Sequence, residues 1–205
     1  VVARLSLDVL PPDPLGWEAL DVLILNDVDT AAFSSEQHRA LETWVAQGGH
    51  LIVGGGAGAV RTVAGLPTPV TGSGQRLLPV TVNGIRQVDD LRALGEEIGA
   101  TVITGPFVVA EADLQDGKAL IEQGDLVLWA RRPYGAGQVD FLAFDAGLNP
   151  FVRWDDNARL WEQIEARVTG VPSFTVREPY AAQRAVNALP GLKFLSALDI
   201  LAFML

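Results

Sequence analysis

Hydrophobic and polar positions along the chain switch between strand-like and helical spacing. The opening run Val1–Val9 reads as a strand, and the prolines between Pro11 and Pro14 break it into an extended loop. A helical turn is expected at Trp17–Leu20. The stretch Asp21–Gly58 then predicts strand, helix, strand and glycine turn in unbroken succession, a βαβ unit. Its apolar runs, Val22–Leu25 and Leu51–Val53, are short and do not alternate, which suits parallel strands covered on both faces. Between them, Ser34 followed by Gln37 fits a capping box. Ala40, Leu41, Trp44 and Val45 recur at helical spacing, and Gly48 with Gly49 supplies the stop.

Beyond this unit the pattern loosens. Residues 57–87 are rich in glycine and proline and predict an excursion from the sheet with one strand at Leu78–Val82. A short helix is expected over Asp89–Ile98, closed by Gly99. Val102–Ile103, Phe107–Ala112, Ala119–Glu122, Leu126–Arg131 and Val139–Phe144 read as strands. The hairpin signals Gln115–Gly117, Gln123–Gly124 and Tyr134–Gly137 separate them into an antiparallel meander. After Asp145 a loop leads to a helix capped by Asp155 or Asp156, with Trp154, Ala158, Trp161, Ile164 and Val168 on its apolar face. The expected organisation is an α/β domain over 1–170, with an irregular insertion and hairpins within 57–125, and a connector over 171–191 that includes a further helix at Tyr180–Leu189. An apolar helix over 192–205 ends the chain.

That last segment has two readings. It is shorter than the roughly 20 residues needed to cross a bilayer, yet its hydrophobicity rises to the end, as at the start of a membrane span. Alternatively Lys193, Ser196 and Asp199 form the polar stripe of an amphipathic helix. No signal peptide is visible, and the chain opens on Val in a strand-like run, so an upstream portion is expected.

Length and charge narrow the class. The 205 residues suffice for one sizeable α/β domain. A net charge of −10, from 15 Lys and Arg against 25 Asp and Glu, leaves no basic stripe to displace counterions, so nucleic acid is not an expected partner. The absence of cysteine excludes disulfides, zinc–thiolate sites and a thiol nucleophile.

The run DVLILNDVDTAAFSSEQHRALETWVAQGGHLIVGGG, together with RRPYGAGQVDFLAFDAGLNPFVRWDDNARLWEQI, resembles the class I glutamine amidotransferase-like superfamily. More narrowly it resembles the non-catalytic branch found in bacterial membrane-anchored proteins and in trimerisation domains of some β-galactosidases. The resemblance covers residues 1–168 apart from 57–99, and rests on the strand, S-x-E-Q helix, W-V-x-x-G-G and strand succession and on the Y-G-x-G-x-V run that precedes Asp145. It implies a flavodoxin-like three-layer sandwich with a mainly parallel central sheet, here with an antiparallel hairpin extension. In active members a cysteine occupies the turn after the strand matching Leu51–Val53, and a histidine with an acidic partner follows later. Here the turn is Gly54–Gly55–Gly56, and His38 and His50 both precede it. The resemblance therefore implies a domain without glutaminase chemistry.

In doubly wound sheets, ligands bind outside the carboxyl ends of the strands. Asn26, Asp27 and Asp29, then Gly54, Gly55 and Gly56, then Asp145 and Asn149 are expected at that edge. They suit a small polar or cationic ligand, or a metal held by oxygens of Asp27, Asp29 and Asp145; equally, they suit helix capping and loop fixing. Gly54-x-Gly56-x-x-Ala59 matches a dinucleotide fingerprint only formally, because Ala57–Ala64 is a poor helix and the acidic residue about 20 positions on is missing. No cofactor is assigned. His38 and His50 are expected to be solvated or simple hydrogen-bonding residues, Ser73 a loop residue, and Arg131 and Arg132 a solvated hairpin edge. The first functional expectation is a non-catalytic, membrane-associated, extracytoplasmic domain that binds a ligand or a protein. A carboxylate- or metal-dependent hydrolase or transferase is the second, and an oligomerisation module the third.

Overall fold

The computed structural model describes residues 10–68 and 74–169. The expected strand at Val1–Val9, Ser73, the connector and Leu192–Leu205 lie outside the described residues. Contacts divide the chain into two units, Val1–Val168 and Thr169–Leu205.

The βαβ unit forms as its pattern dictates. Strand β1 (Val22–Leu25), helix α1 (Ser35–Ala46) and strand β2 (His50–Gly54) follow one another. The capping box is complete: the Gln37 amide donates to Ser34 Oγ at 3.2 Å, and the Ser34 amide donates to Gln37 Oε1 at 2.9 Å. This satisfies two of the amides that a helix start leaves without partners. Ala40, Leu41, Trp44 and Val45 are buried. The turn at Trp17–Leu20 is displaced: a 3-10 turn covers Pro14–Trp17, with Asp13 accepting from the Leu15 amide.

Strand β7 (Gly137–Leu142) runs parallel to β2 on its other side, in register Leu51↔Val139 and Val53↔Phe141. The described sheet is ordered β1-β2-β7-β6-β5, where β5 is Lys118–Gln123 and β6 is Leu126–Tyr134. Only the two pairings of β2 are parallel; β7–β6 and β6–β5 are antiparallel. The sheet is thus mixed, which corrects the expectation of a mainly parallel one. The cause is connection length, since turns of a few residues at Gly124 (φ 63°) and Gly135 (φ 61°) can join only antiparallel neighbours.

The excursion is more ordered than its composition suggests. A six-residue helix α2 (Ala59–Ala64) stands where a poor helix was expected. Strand β3 (Val80–Asp90) extends well past Leu78–Val82 and pairs antiparallel with β4 (Thr104–Leu114) in a separate two-stranded sheet. Helix α3 (Arg92–Ile98) begins later than expected, because Asp89 and Asp90 end β3; the Asp90 carboxylate accepts from the Arg92 amide at 3.1 Å. Val102–Ile103 is not a strand, although Ile103 is buried and its carbonyl accepts from Leu91.

In helix α4 (Asn157–Thr169), Ile164 is buried and Trp154 and Trp161 pack against the core as expected, while Ala158 is exposed and Leu160 joins the buried face. Asp156 does not cap α4 with its side chain. It accepts from the Thr101 amide and hydroxyl, both at 2.9 Å.

The Y-G-x-G run has a structural cause. The turn at Tyr134–Gly137 meets the end of α1, where the Ala136 amide donates to the Ala46 carbonyl at 2.7 Å and the Gln138 amide donates to Gly49. A Cβ at Gly137 would collide with the Val45 carbonyl. Gly137→Ala is therefore expected to destabilise the fold by about 1–3 kcal/mol in urea denaturation. Gly84→Ala, whose new Cβ would have its nearest neighbour at 3.5 Å, should stay within about 0.5 kcal/mol.

Candidate functional site

The carboxyl ends of β1, β2 and β7 bring three of the expected loops together. Asn26, half-buried after β1, donates from Nδ2 to Asp145 Oδ1 at 2.5 Å across the end of the sheet. The Gly147 amide donates to the same oxygen at 2.8 Å. Beneath them the glycine turn is shut. The Gly55 amide donates to the Phe144 carbonyl at 3.2 Å and the Gly56 amide to the Ala143 carbonyl at 2.9 Å. That same Ala143 oxygen accepts from Ala110 of β4 at 2.7 Å, so both of its lone pairs are engaged and the β3–β4 hairpin is pinned over this edge.

Each glycine is required sterically. A Cβ at Gly54 would run into the Asn26 amide and one at Gly55 into the Ala143 carbonyl, while one at Gly56 (φ 72°) would lie 3.0 Å from the Asp145 Cβ. Phosphate-binding turns present free backbone amides at a helix start. Here two of those amides are consumed within the sheet and α2 is only six residues long, which removes the physical basis of the formal dinucleotide match.

The remaining candidates are not gathered at one point. Asp27, at φ 51°, pairs with Arg61 of α2, and both are more than half exposed, so the pair contributes little. Asp29 caps the 3-10 turn Thr30–Ala32 by accepting from Ala31 at 3.1 Å. Asn149 is exposed and precedes Pro150. Among the described residues, no group of three His, Asp or Glu side chains is placed to hold a metal ion. Asp27, Asp29 and Asp145 thus serve separate local contacts.

The strongest buried electrostatic feature lies elsewhere. Asp140 of β7 is inaccessible to solvent. It accepts from His50 Nε2 at 2.6 Å, Trp129 Nε1 at 2.8 Å and Arg131 Nε and Nη2, both at 2.7 Å. Burial alone would push its carboxyl up. The His50 and Arg131 hydrogen bonds, the Arg131 charge and the Trp129 N–H outweigh that and hold it below the ordinary aspartate value of 3.8. Register explains the convergence: Ile52, Asp140 and Arg131 are successive cross-strand partners on one face, with His50 two residues before Ile52.

This corrects two expectations: Arg131 is mostly buried, and Arg132, also buried, pairs with Asp116 and lies over the Tyr134 ring; His50, read as solvated or a simple hydrogen-bonding residue, is the latter and is buried. His38 is half-buried, with Nε2 3.2 Å from the Thr30 carbonyl. The sequence signal for the cluster is an aspartate between Val139 and Phe141 in a strand buried on both sides. A charge at such a position needs partners.

No protein-family model matches this chain, and no curated protein does. Solved structures do. Cytoplasmic Protein STM3548 from Salmonella typhimurium matches at a TM-score of 0.61 and 14% identity, over 79% of this chain and 77% of that one. Cytoplasmic Protein STM1381 from Salmonella typhimurium LT2 matches at 0.60 and 14%, over 78% and 76%. The mmIFT52 N-terminal domain matches at 0.50 and 13%, over 77% and 80%. At such identities the likeness extends to the fold alone.

Removing the Asp140 carboxylate strands Arg131 in a buried position. Asp140→Asn is expected to cost about 3–5 kcal/mol in chemical denaturation. Because the folded carboxyl is held below 3.8, its stabilisation is fully present above that value and is lost as pH falls below it. Acid unfolding followed by tryptophan fluorescence should accordingly lose this low-pH component in Asp140→Asn.

Proposed function

We propose that the chain is a non-catalytic binding domain on an amidotransferase-like, flavodoxin-like scaffold, meeting its ligand or partner at the carboxyl edge of β1, β2 and β7. The observation that carries this reading is the closed Gly54–Gly56 turn. It has no side chain to attack a substrate, Gly55 has no room for one, and the amides of Gly55 and Gly56 are engaged. The sequence contains no cysteine. His50 stands at the opposite end of β2, roughly 13 Å away by strand rise, and is committed to Asp140. The edge is still a polar, accessible surface: Asp27 and Asp29 are exposed and Asp145 is half-exposed.

The carboxylate- or metal-dependent alternative has less support, since Asp27, Asp29 and Asp145 are each used in a different local contact. Membrane association rests on the apolar sequence Leu192–Leu205 alone. Among the described residues no helix is long and apolar enough to cross a membrane, and the two Salmonella neighbours are named as cytoplasmic.

The purified chain should release no ammonia from glutamine. In a chemically mixed fragment screen read by amide chemical shifts, hits should cluster at residues 26–29, 54–58 and 145–149. Ammonia release, or hits confined to other surfaces, would remove this reading.

A further inference from the structure

We propose that Asn83–Gly84 is a self-modification site: the exposed asparagine loses its side-chain amide by attack of its own main chain, and the product loosens the β3–β4 hairpin. The inference is independent of the binding role proposed above. Asparagine is among the chemically labile residues, and of the five asparagines in the sequence Asn83 is the one followed by glycine. It is exposed and sits in an irregularity of the ladder. Val82 pairs with Ala112 and Gly84 with Glu111, which leaves Asn83 as the extra residue of a bulge. The fold gives no steric reason for glycine at position 84: its φ lies outside the left-handed region, and the nearest neighbour of an added Cβ would be Glu111 Oε2 at 3.5 Å. What glycine supplies here is an unshielded backbone nitrogen and a main chain free to turn.

The other described asparagines lack this combination. Asn26 is half-buried and its amide donates to Asp145. Asn149 precedes Pro150, which has no N–H to lose. Asn157, followed by Ala158 within α4, donates to the Phe151 carbonyl at 3.0 Å. At Asn83 the Gly84 nitrogen gives its proton to hydroxide and attacks Cγ, closing a cyclic imide. The new N–Cγ bond replaces Cγ–Nδ2, and Nδ2 takes a proton from water and leaves as ammonia. Water then adds to either imide carbonyl and opens the ring, giving an aspartate at position 83 or its β-linked isomer. The consequence falls on the hairpin. Asn83 Nδ2 donates to Asp113 Oδ2 at 2.7 Å, and after conversion that contact joins two carboxylates, which repel. The β-linked isomer also adds a methylene to the main chain of β3 inside the ladder. Through Ala110 of β4 this hairpin is tied to Ala143 at the carboxyl edge of the main sheet.

The test incubates the purified full chain in mildly alkaline buffer and follows its asparagines by peptide mass mapping, with chromatography to separate the β-linked isomer. Asn83 should gain the mass of amide-to-acid conversion, faster as pH rises, while Asn26, Asn149 and Asn157 stay intact. Gly84→Ala, which the space around position 84 accommodates, should lose the conversion and keep the fold. Asn83→Asp, which carries the charge of the product, should raise amide exchange in 80–88 and 107–114 by roughly two- to fivefold, the scale of a like-charge pair across a ladder, and leave β2 and β7 unchanged. The site would be overturned by an intact Asn83 in the folded chain under conditions that convert it in the urea-unfolded chain, by equal conversion in Gly84→Ala, or by conversion led by another described asparagine. Unchanged hairpin exchange in Asn83→Asp would overturn the loosening.

Discussion

Asp140 is fully buried, and the hydrogen bonds that keep it charged come from the two strands that flank its own. His50 reaches it from β2, and Trp129 and Arg131 from β6. These strands are distant in sequence, and β7 joins the parallel half of the sheet to the antiparallel half. Hydrophobic burial is indifferent to a slip of register that keeps apolar faces inward, whereas an unpaired buried carboxylate costs several kcal/mol. The cluster therefore gives the mixed sheet a reason to hold one register. The apolar pairs Leu51↔Val139 and Val53↔Phe141 supply the burial on the opposite face.

With β7 fixed, its continuation organises the carboxyl edge. Ala143 and Phe144 offer carbonyls to Gly56 and Gly55, and Ala143 also accepts from Ala110, so one peptide unit joins β2, β7 and the hairpin β3–β4. Asp145 follows at once and is drawn towards Asn26. The surface that remains is made of loop side chains held on a rigid support, an arrangement that suits recognition. The turn Gly54–Gly56 carries no side chain, and His50 lies at the other end of β2, committed to Asp140.

Much of the scaffold was legible in the sequence because its signals are local. Ser34 and Gln37 cap α1, the glycines after Gln47 end it, and β2 is buried throughout as read, whereas β1 buries Leu23 and Leu25 but leaves Val22 and Ile24 exposed on its other face, against the expectation of cover on both. The mixed character of the sheet was less visible, since pairing depends on where β7 inserts, a long-range fact that periodicity does not encode. Extents were misread in the excursion because β3 is amphipathic only in part, with exposed Ile85 and half-buried Val88, and its end runs into an Asp pair that also marks a helix start. Among the candidate residues, Asn26, Gly54–Gly56 and Asp145 do meet, since all three follow neighbouring strands. Asp27 and Asp29 turn to local partners, as Asx residues in loops often do. The His50–Asp140–Arg131 cluster was missed because the apolar flanks of Asp140 signal only that it needs partners; cross-strand register alone says which residues those are.

The division into a rigid sheet and the loops at its carboxyl edge is most directly tested by amide hydrogen exchange on the full chain. In the free protein the slowest exchange should fall in β2, β6 and β7 around Asp140, with residues 145–153 exchanging faster. Exchange in β2 or β7 as fast as in that loop would contradict the account.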